Sequence, residues 1–202
     1  MEIASSDLAG LGAYRLLTGC VVPRPIAWIT TLSDTGVVNL APFSCYTIAC
    51  TDPPMLGVNI GPRGTGLKDT SRNIIASLEF VVNVATAAQV GLVHASSAET
   101  PYHVSEAEAL GLALSPSTVV RPPRLADSPI QLECRYVRHM EMNARGDLFI
   151  FGEVLRFHVR DDLYVDGKIR TDMLSPLARL AGPNYASLGE MMTMPPAKLP
   201  GS

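Results

Sequence analysis

The chain has 202 residues, 47% of them hydrophobic and 17% charged, enough apolar side chains to bury one substantial core and hardly two. Its formal net charge of −3 offers no long-range attraction for nucleic acid or anionic lipid, so any phosphate must be held at a local site. No apolar run reaches the roughly 18 residues that span a bilayer, and Met1 to Ser6 lacks a basic segment followed by an apolar one, so a cytoplasmic protein is expected.

In chain order, Ala27 to Leu32 reads as a strand that ends at the turn cluster Ser33-Asp34-Thr35-Gly36, and Val37 to Ala41 resumes at once, which predicts a hairpin. Met55 to Ile60 and Phe80 to Val84 are short, β-branched runs suited to buried strands. Between them the breaker-rich Gly61 to Gly66 leads into a helix expected over about Thr70 to Leu78. Residues 86–112 are helical in parts, with Glu106 to Leu110 stopping at Gly111, and Pro116, Pro122, Pro123 and Pro129 then punctuate an irregular connection. Ile130 to Met140 and Leu148 to Val159 read as strands joined by the turn Asn143 to Asp147. A Leu174 to Leu180 segment and a poorly packed, flexible tail over 191–202 complete a single mainly β domain. Six or more strands in hairpins fit a closed or nearly closed barrel, and no GxGxxG turn supports a doubly wound sheet.

The chemistry concentrates in the first half. Gly61-Pro62-Arg63-Gly64-Thr65-Gly66-Leu67-Lys68 superficially resembles a P-loop, yet Leu67 precedes the lysine where glycine belongs and Asp69 follows where Ser or Thr belongs, so nucleotide hydrolysis is not expected. The start of the following helix can still hold a phosphate through unpaired backbone N–H groups and its dipole, with Lys68, Thr70 and Asn73 nearby. The same residues also fit a plain N-cap at Asp69 or Thr70 beside a solvated lysine. Thr30 and Thr31 point to opposite faces of their strand, so one of them can face a pocket, while Trp28 fits a plain core residue as well as a pocket wall. Pro42 within Ala41-Pro42-Phe43-Ser44-Cys45 implies an edge or irregular path with free backbone groups. Cys20, Cys45, Cys50 and Cys134 form neither a CxxC pair nor a zinc-ligand spacing, so no metal site is expected and the thiols read as reduced and mostly buried. His94, His139 and His158 lack partner motifs, and His103 beside Tyr102 is the histidine suited to a substrate contact.

Pro23 to Ser44, Lys68 to Asn73, Glu79 to Val84, Gly152-Glu153-Val154 and Arg179 to Tyr185, in that order over residues 14–190, resemble the flavin reductase-like family of FMN-binding split barrels, the flavoredoxin type. The resemblance implies a split β-barrel with a few flanking helices, a homodimer with FMN near its interface, and hydride transfer from NADH or NADPH to flavin, with a partner monooxygenase as one recipient of the reduced flavin. It implies that Thr30, Thr31, Lys68, Thr70 and Asn73 hold the phosphate and ribityl chain. Ala41, Pro42, Phe43, Ser44 and Cys45 would line the flavin ring, with Asn39, Asn59 and Arg63 as further contacts. Ala181 departs from the glycine that relatives often carry before Gly182. Hydride transfer to a flavin needs stacked rings more than a side-chain acid or base, so no catalytic residue is named. An electron-transfer or flavin-storage protein and a flavin-dependent oxygenase are the alternatives.

Overall fold

The computed structural model describes residues 1–197. Seven antiparallel strands carry the architecture: β1 (Ala27–Leu32), β2 (Val38–Phe43), β3 (Tyr46–Thr51), β4 (Pro54–Ile60), β5 (Glu79–Val84), β6 (Ile130–Glu141) and β7 (Leu148–Val159). They hydrogen-bond in the order β2-β1-β5-β6-β7-β4-β3. The two ends of that order, β2 and β3, are consecutive in the chain and separated only by Ser44 and Cys45. A sheet whose edge strands are joined by so short a link must curl until its ends meet, and Phe43 of β2 and Val58 of β4 accordingly share one core cluster. The barrel is the split barrel expected from the sequence.

Why these residues form this sheet is legible in its pattern of burial. Ala27 and Ile29 face the barrel interior with Phe80, Val82, Leu132 and Ile150. Trp28, on the opposite face of β1, enters a second core with Leu40, Val93, Ala107 and Leu125. Trp28 is fully buried and its Nε1–H donates to Ser96 Oγ at 2.9 Å, so it is a core residue with a satisfied polar tip. The segment between β5 and β6 supplies this outer layer through α3 (Val90–Ala95) and α4 (Glu106–Ala109).

The strand β2 runs straight through Pro42, which pairs in register with Trp28. It tolerates the proline because it is an end of the hydrogen-bonded order, where a missing N–H on the outward side interrupts no ladder. On the same outward edge, the Leu40 N–H donates to Glu106 Oε2 at 2.9 Å, so a buried carboxylate from α4 takes the place of a neighbouring strand. The helix α2 (Asp69–Ser77) places Ile74 in the barrel core and ends at Leu78, which adopts the left-handed conformation.

Apart from turns and two-residue strands, two elements depart from the sequence reading. The helix α1 (Gly12–Cys20) was not expected, and none of its residues is buried. The strand β3 was also unexpected, and its β4 ladder is extended by the Asn59 N–H donating to the Cys45 carbonyl at 2.8 Å. The Leu174 to Leu180 segment divides between α5 (Thr171–Leu174) and a two-residue strand, Ala178–Arg179. That strand pairs with Arg24–Pro25 and with Tyr185–Ala186. No regular element occurs from Gly189 to Ala197, and the last five residues of the expected tail, 198–202, lie outside the described residues. Among the described residues no helix is long and apolar enough to cross a membrane.

Candidate functional site

Two adjoining concavities flank the end of β2, and both are walled by Pro42, Phe43 and Ser97. In the first, the start of α2 faces the β2 edge. Lys68 occupies the N-cap in an extended conformation without a side-chain cap, and the first helical bond runs from the Arg72 N–H to the Lys68 carbonyl. The N–H groups of the first turn are therefore left for another acceptor. Lys68 Nζ lies 5.8 Å from the centroid of the Phe43 ring and joins no ion pair among the described residues. The carboxylates nearby are committed. Asp69 is held between Arg63 at 3.3 Å and Arg72 at 3.1 Å, and Glu106 accepts from the Leu40 N–H and the Thr100 hydroxyl.

Beneath this wall runs a buried relay. Tyr102 Oη donates to Asn73 Oδ1 at 2.9 Å, Asn73 Nδ2 to Thr31 Oγ1 at 3.0 Å, and Asn39 Nδ2 to Thr31 Oγ1 at 3.2 Å and Thr70 Oγ1 at 2.9 Å. Among the described residues Thr70 Oγ1 only accepts, which leaves its proton for a ligand in the concavity it lines.

Of the sequence-derived candidates, Asn39, Ala41, Pro42, Phe43, Arg63, Lys68 and Thr70 line the first concavity, and Ser44 lines the second. Five others are elsewhere. Thr30 is fully buried on the outer face of β1, where it donates to the Pro123 carbonyl at 2.6 Å and receives Asn83 Nδ2, so it points away from the groove. Thr31 and Asn73 are buried behind the wall and brace Thr70 through Asn39. Cys45 is exposed and Asn59 sits in the β4 ladder; neither lines either concavity. Cys45, Cys20 and Cys50 are not core thiols as expected; only Cys134 is buried, and burial pushes its thiol far above the ordinary range. His103 is exposed and lines neither concavity. Among the described residues no cluster of His, Cys, Asp or Glu is arranged to hold a metal.

The sequence reading passed over the loop residues Ser97 and Thr100, and over Arg24, Thr18 and Tyr14 of the second concavity. Glu106 was noted only as a helix former. Its position at the edge of β2 depends on a contact 66 residues away in the chain, for which no local pattern exists.

Comparison with known proteins accords with this geometry. Residues 18–172 match the family model described as the flavin reductase like domain. The crystal structure of nitrilotriacetate monooxygenase component B from Bacillus cereus is 34% identical, superposes with a TM-score of 0.93, and covers 96% of this chain and 98% of its own. The 2-nitrobenzoate 2-nitroreductase NbaA of Pseudomonas fluorescens is 32% identical with a TM-score of 0.89 and full coverage of both chains. A protein of Halalkalibacterium halodurans is 42% identical over 96% of this chain and 95% of its own. The match over most of the chain, together with a split barrel whose β2 edge faces the start of α2, places this chain in the flavin reductase-like family.

Proposed function

We propose that this chain is a flavin reductase that binds FMN along the β2 edge and transfers hydride from NADH or NADPH to it. The observation that carries the reading is a set of unspent donors opposite an apolar wall: the first-turn N–H groups of α2, the Lys68 ammonium and the Thr70 hydroxyl on one side, and Phe43 with Pro42 on the other. That set fits a flavin with a phosphate tail, because a dianionic group needs charge-assisted donors and a flat ring needs an apolar surface. A bound flavin supplies the hydride-accepting ring, and the protein supplies binding, orientation and exclusion of water. Lys68 and Thr70 would hold the phosphate, the Asn39–Thr31–Asn73 relay keeps Thr70 turned toward it, and Phe43 with the β2 backbone would back the ring.

Arg63 is a lesser phosphate ligand in this reading, since its guanidinium already donates to the Thr100 carbonyl at 2.8 Å and pairs with Asp69. We also propose a homodimer, supported by apolar side chains left open to solvent on α1 and β3, with Leu17 64% and Ile48 71% exposed. A partner oxygenase that consumes reduced flavin is proposed from the likeness to a monooxygenase component B. The test is an absorption spectrum of the purified protein with FMN, recorded anaerobically before and after adding NADH or NADPH. Bleaching of the flavin bands by the reduced nucleotide and their return in air is the expected result. A protein that neither takes up FMN nor oxidises either nucleotide refutes the proposal.

A further inference from the structure

The second concavity carries a charge arrangement that the fold does not balance. Arg24 and Arg179 are direct cross-strand partners in the small sheet that joins residues 24–25 to residues 178–179. Like charges placed opposite one another on adjacent strands oppose pairing. Both arginines line the concavity, and no Asp or Glu does. Arg24 is 7% exposed and is held by neutral acceptors only: the carbonyls of Thr18, Val21 and Leu180, and the Ser44 hydroxyl. Arg179 likewise has neutral partners, donating from Nη1 to Tyr185 Oη and from Nη2 to the Gly182 carbonyl, both at 2.6 Å. A guanidinium has five N–H donors, so the Arg179 Nε–H and one hydrogen on each of its Nη atoms have no hydrogen-bond partner among the described residues.

The first concavity provides the contrast, because there Arg63 is offset by Asp69 and Glu99. A pair of opposed, half-buried to buried guanidiniums without a counter-ion is a receptor for an anion, and the free fork of Arg179 matches a planar carboxylate. The rest of the lining combines an aromatic and apolar side, with Tyr14, Tyr185, Ile26 and the shared Phe43, and the hydroxyls of Thr18, Ser44 and Ser97. The cavity volume is about 200 Å³, below the range of pockets that enclose drug-sized ligands, and suits a compound with one ring.

We propose that this concavity is a second-ligand site for a small aromatic carboxylate, with Arg179 binding the carboxylate and the ring lying against the Phe43 side, next to the flavin groove. Arg24 sets the positive potential from below. The placement beside a flavin rests on the proposed function above; the carboxylate site does not require it.

The experiment titrates the full chain with sodium benzoate by calorimetry, with benzamide as the uncharged isostere, for the wild type, Arg179→Gln and Arg179→Lys, and repeats each titration with FMN. Arg179 is chosen over Arg24 because Arg24 ties together the end of α1 and two strands. The expected result is benzoate binding by the wild type without benzamide binding, a loss of about tenfold or more in Arg179→Gln, partial recovery in Arg179→Lys, and unchanged FMN affinity throughout. Absence of benzoate binding, equal binding by Arg179→Gln, equal binding of benzamide, or a loss in Arg179→Gln confined to NADH overturns the proposal. If no variant binds FMN while the benzoate pattern holds, the flavin reading fails and the carboxylate site stands.

Discussion

Removing the Lys68 ammonium is the most direct perturbation of the proposed phosphate cradle. Lys68 has no ion-pair partner among the described residues and lies over the Phe43 ring, so Lys68→Ala removes a cation that no carboxylate of the chain's described residues engages. A charge-assisted hydrogen bond contributes about 1.5–3 kcal/mol. Lys68 is half-buried, which leaves part of its interaction screened by solvent, so the lower half of that range applies, about 1.5–2 kcal/mol. Each 1.4 kcal/mol is about tenfold in Kd, and Lys68→Ala should weaken FMN binding roughly 10- to 30-fold. Arg63→Ala should cost less, because Arg63 is already engaged by Asp69, Glu99 and the Thr100 carbonyl. The assay is titration of flavin fluorescence for wild type, Lys68→Ala, Arg63→Ala and Lys68→Ala with Thr70→Ala, at two salt concentrations. The double variant should lose several kcal/mol, and the salt dependence of the wild type should flatten in Lys68→Ala. An unchanged Kd in Lys68→Ala with an intact fold, or a larger loss in Arg63→Ala, refutes the cradle and moves the phosphate elsewhere.

Phe43→Ala should alter the spectrum of bound flavin more than its affinity if Phe43, which lines the groove, backs the ring as proposed; a spectrum identical to wild type removes Phe43 from the site. Gly152→Ala should destabilise the barrel by about 1–3 kcal/mol, because a Cβ there would sit 2.6 Å from Cε1 of the buried Phe80 and closer still to Cζ. Thermal melts of Gly152→Ala alone and with Phe80→Leu check this, and failure of the smaller side chain to recover stability counts against the steric cause. Glu133 is fully buried; burial pushes its carboxyl up, but the Thr118 and Val119 N–H groups at 2.7 and 2.6 Å, with His158, outweigh this and hold it below the ordinary carboxylate range. A depressed folded value means that its stabilisation is present above the unfolded value of about 4.3 and is lost as pH falls through the lower, folded value. Glu133→Gln should therefore lower Tm at pH 7 by several degrees, the gap to wild type closing as acid protonates the carboxylate, and a gap independent of pH contradicts the assignment.

How far the site could be read in advance differs from residue to residue. Lys68, Thr70, Pro42 and Phe43 lie in two short stretches whose composition is unusual for their elements, and both stretches reach the groove. Thr30 and Thr31 show the boundary. Strand alternation requires that they face opposite ways, but which one points toward α2 depends on the side from which α2 approaches β1, and the answer puts Thr31 in the relay and Thr30 against Pro123. Asn73 reads as a ligand by helical spacing, and the fold buries it behind the wall, with one amide hydrogen on Thr31 and its carbonyl accepting from Tyr102.

Hairpins and helices that depend on near neighbours were written in the chain. The β1–β2 turn at Ser33 to Gly36, the long β6–β7 pair about Asn143 to Asp147, and α2 after a breaker-rich loop all follow from alternation and turn residues a few positions apart. The helix α1 carries apolar residues at helical spacing, but it is short, contains Gly12 and Gly19, and packs none of its residues into the core, so nothing in the core pattern marks it. Contacts between distant segments had no such trace. Glu106 completing the edge of β2, and Arg24 lying opposite Arg179 across 155 positions of chain, arise only when the barrel closes and brings its outer layer and its C-terminal strands beside β2. Local patterning specifies elements because it acts through neighbouring side chains, whereas a site assembled from several elements depends on how the sheet curls, a property of the whole core.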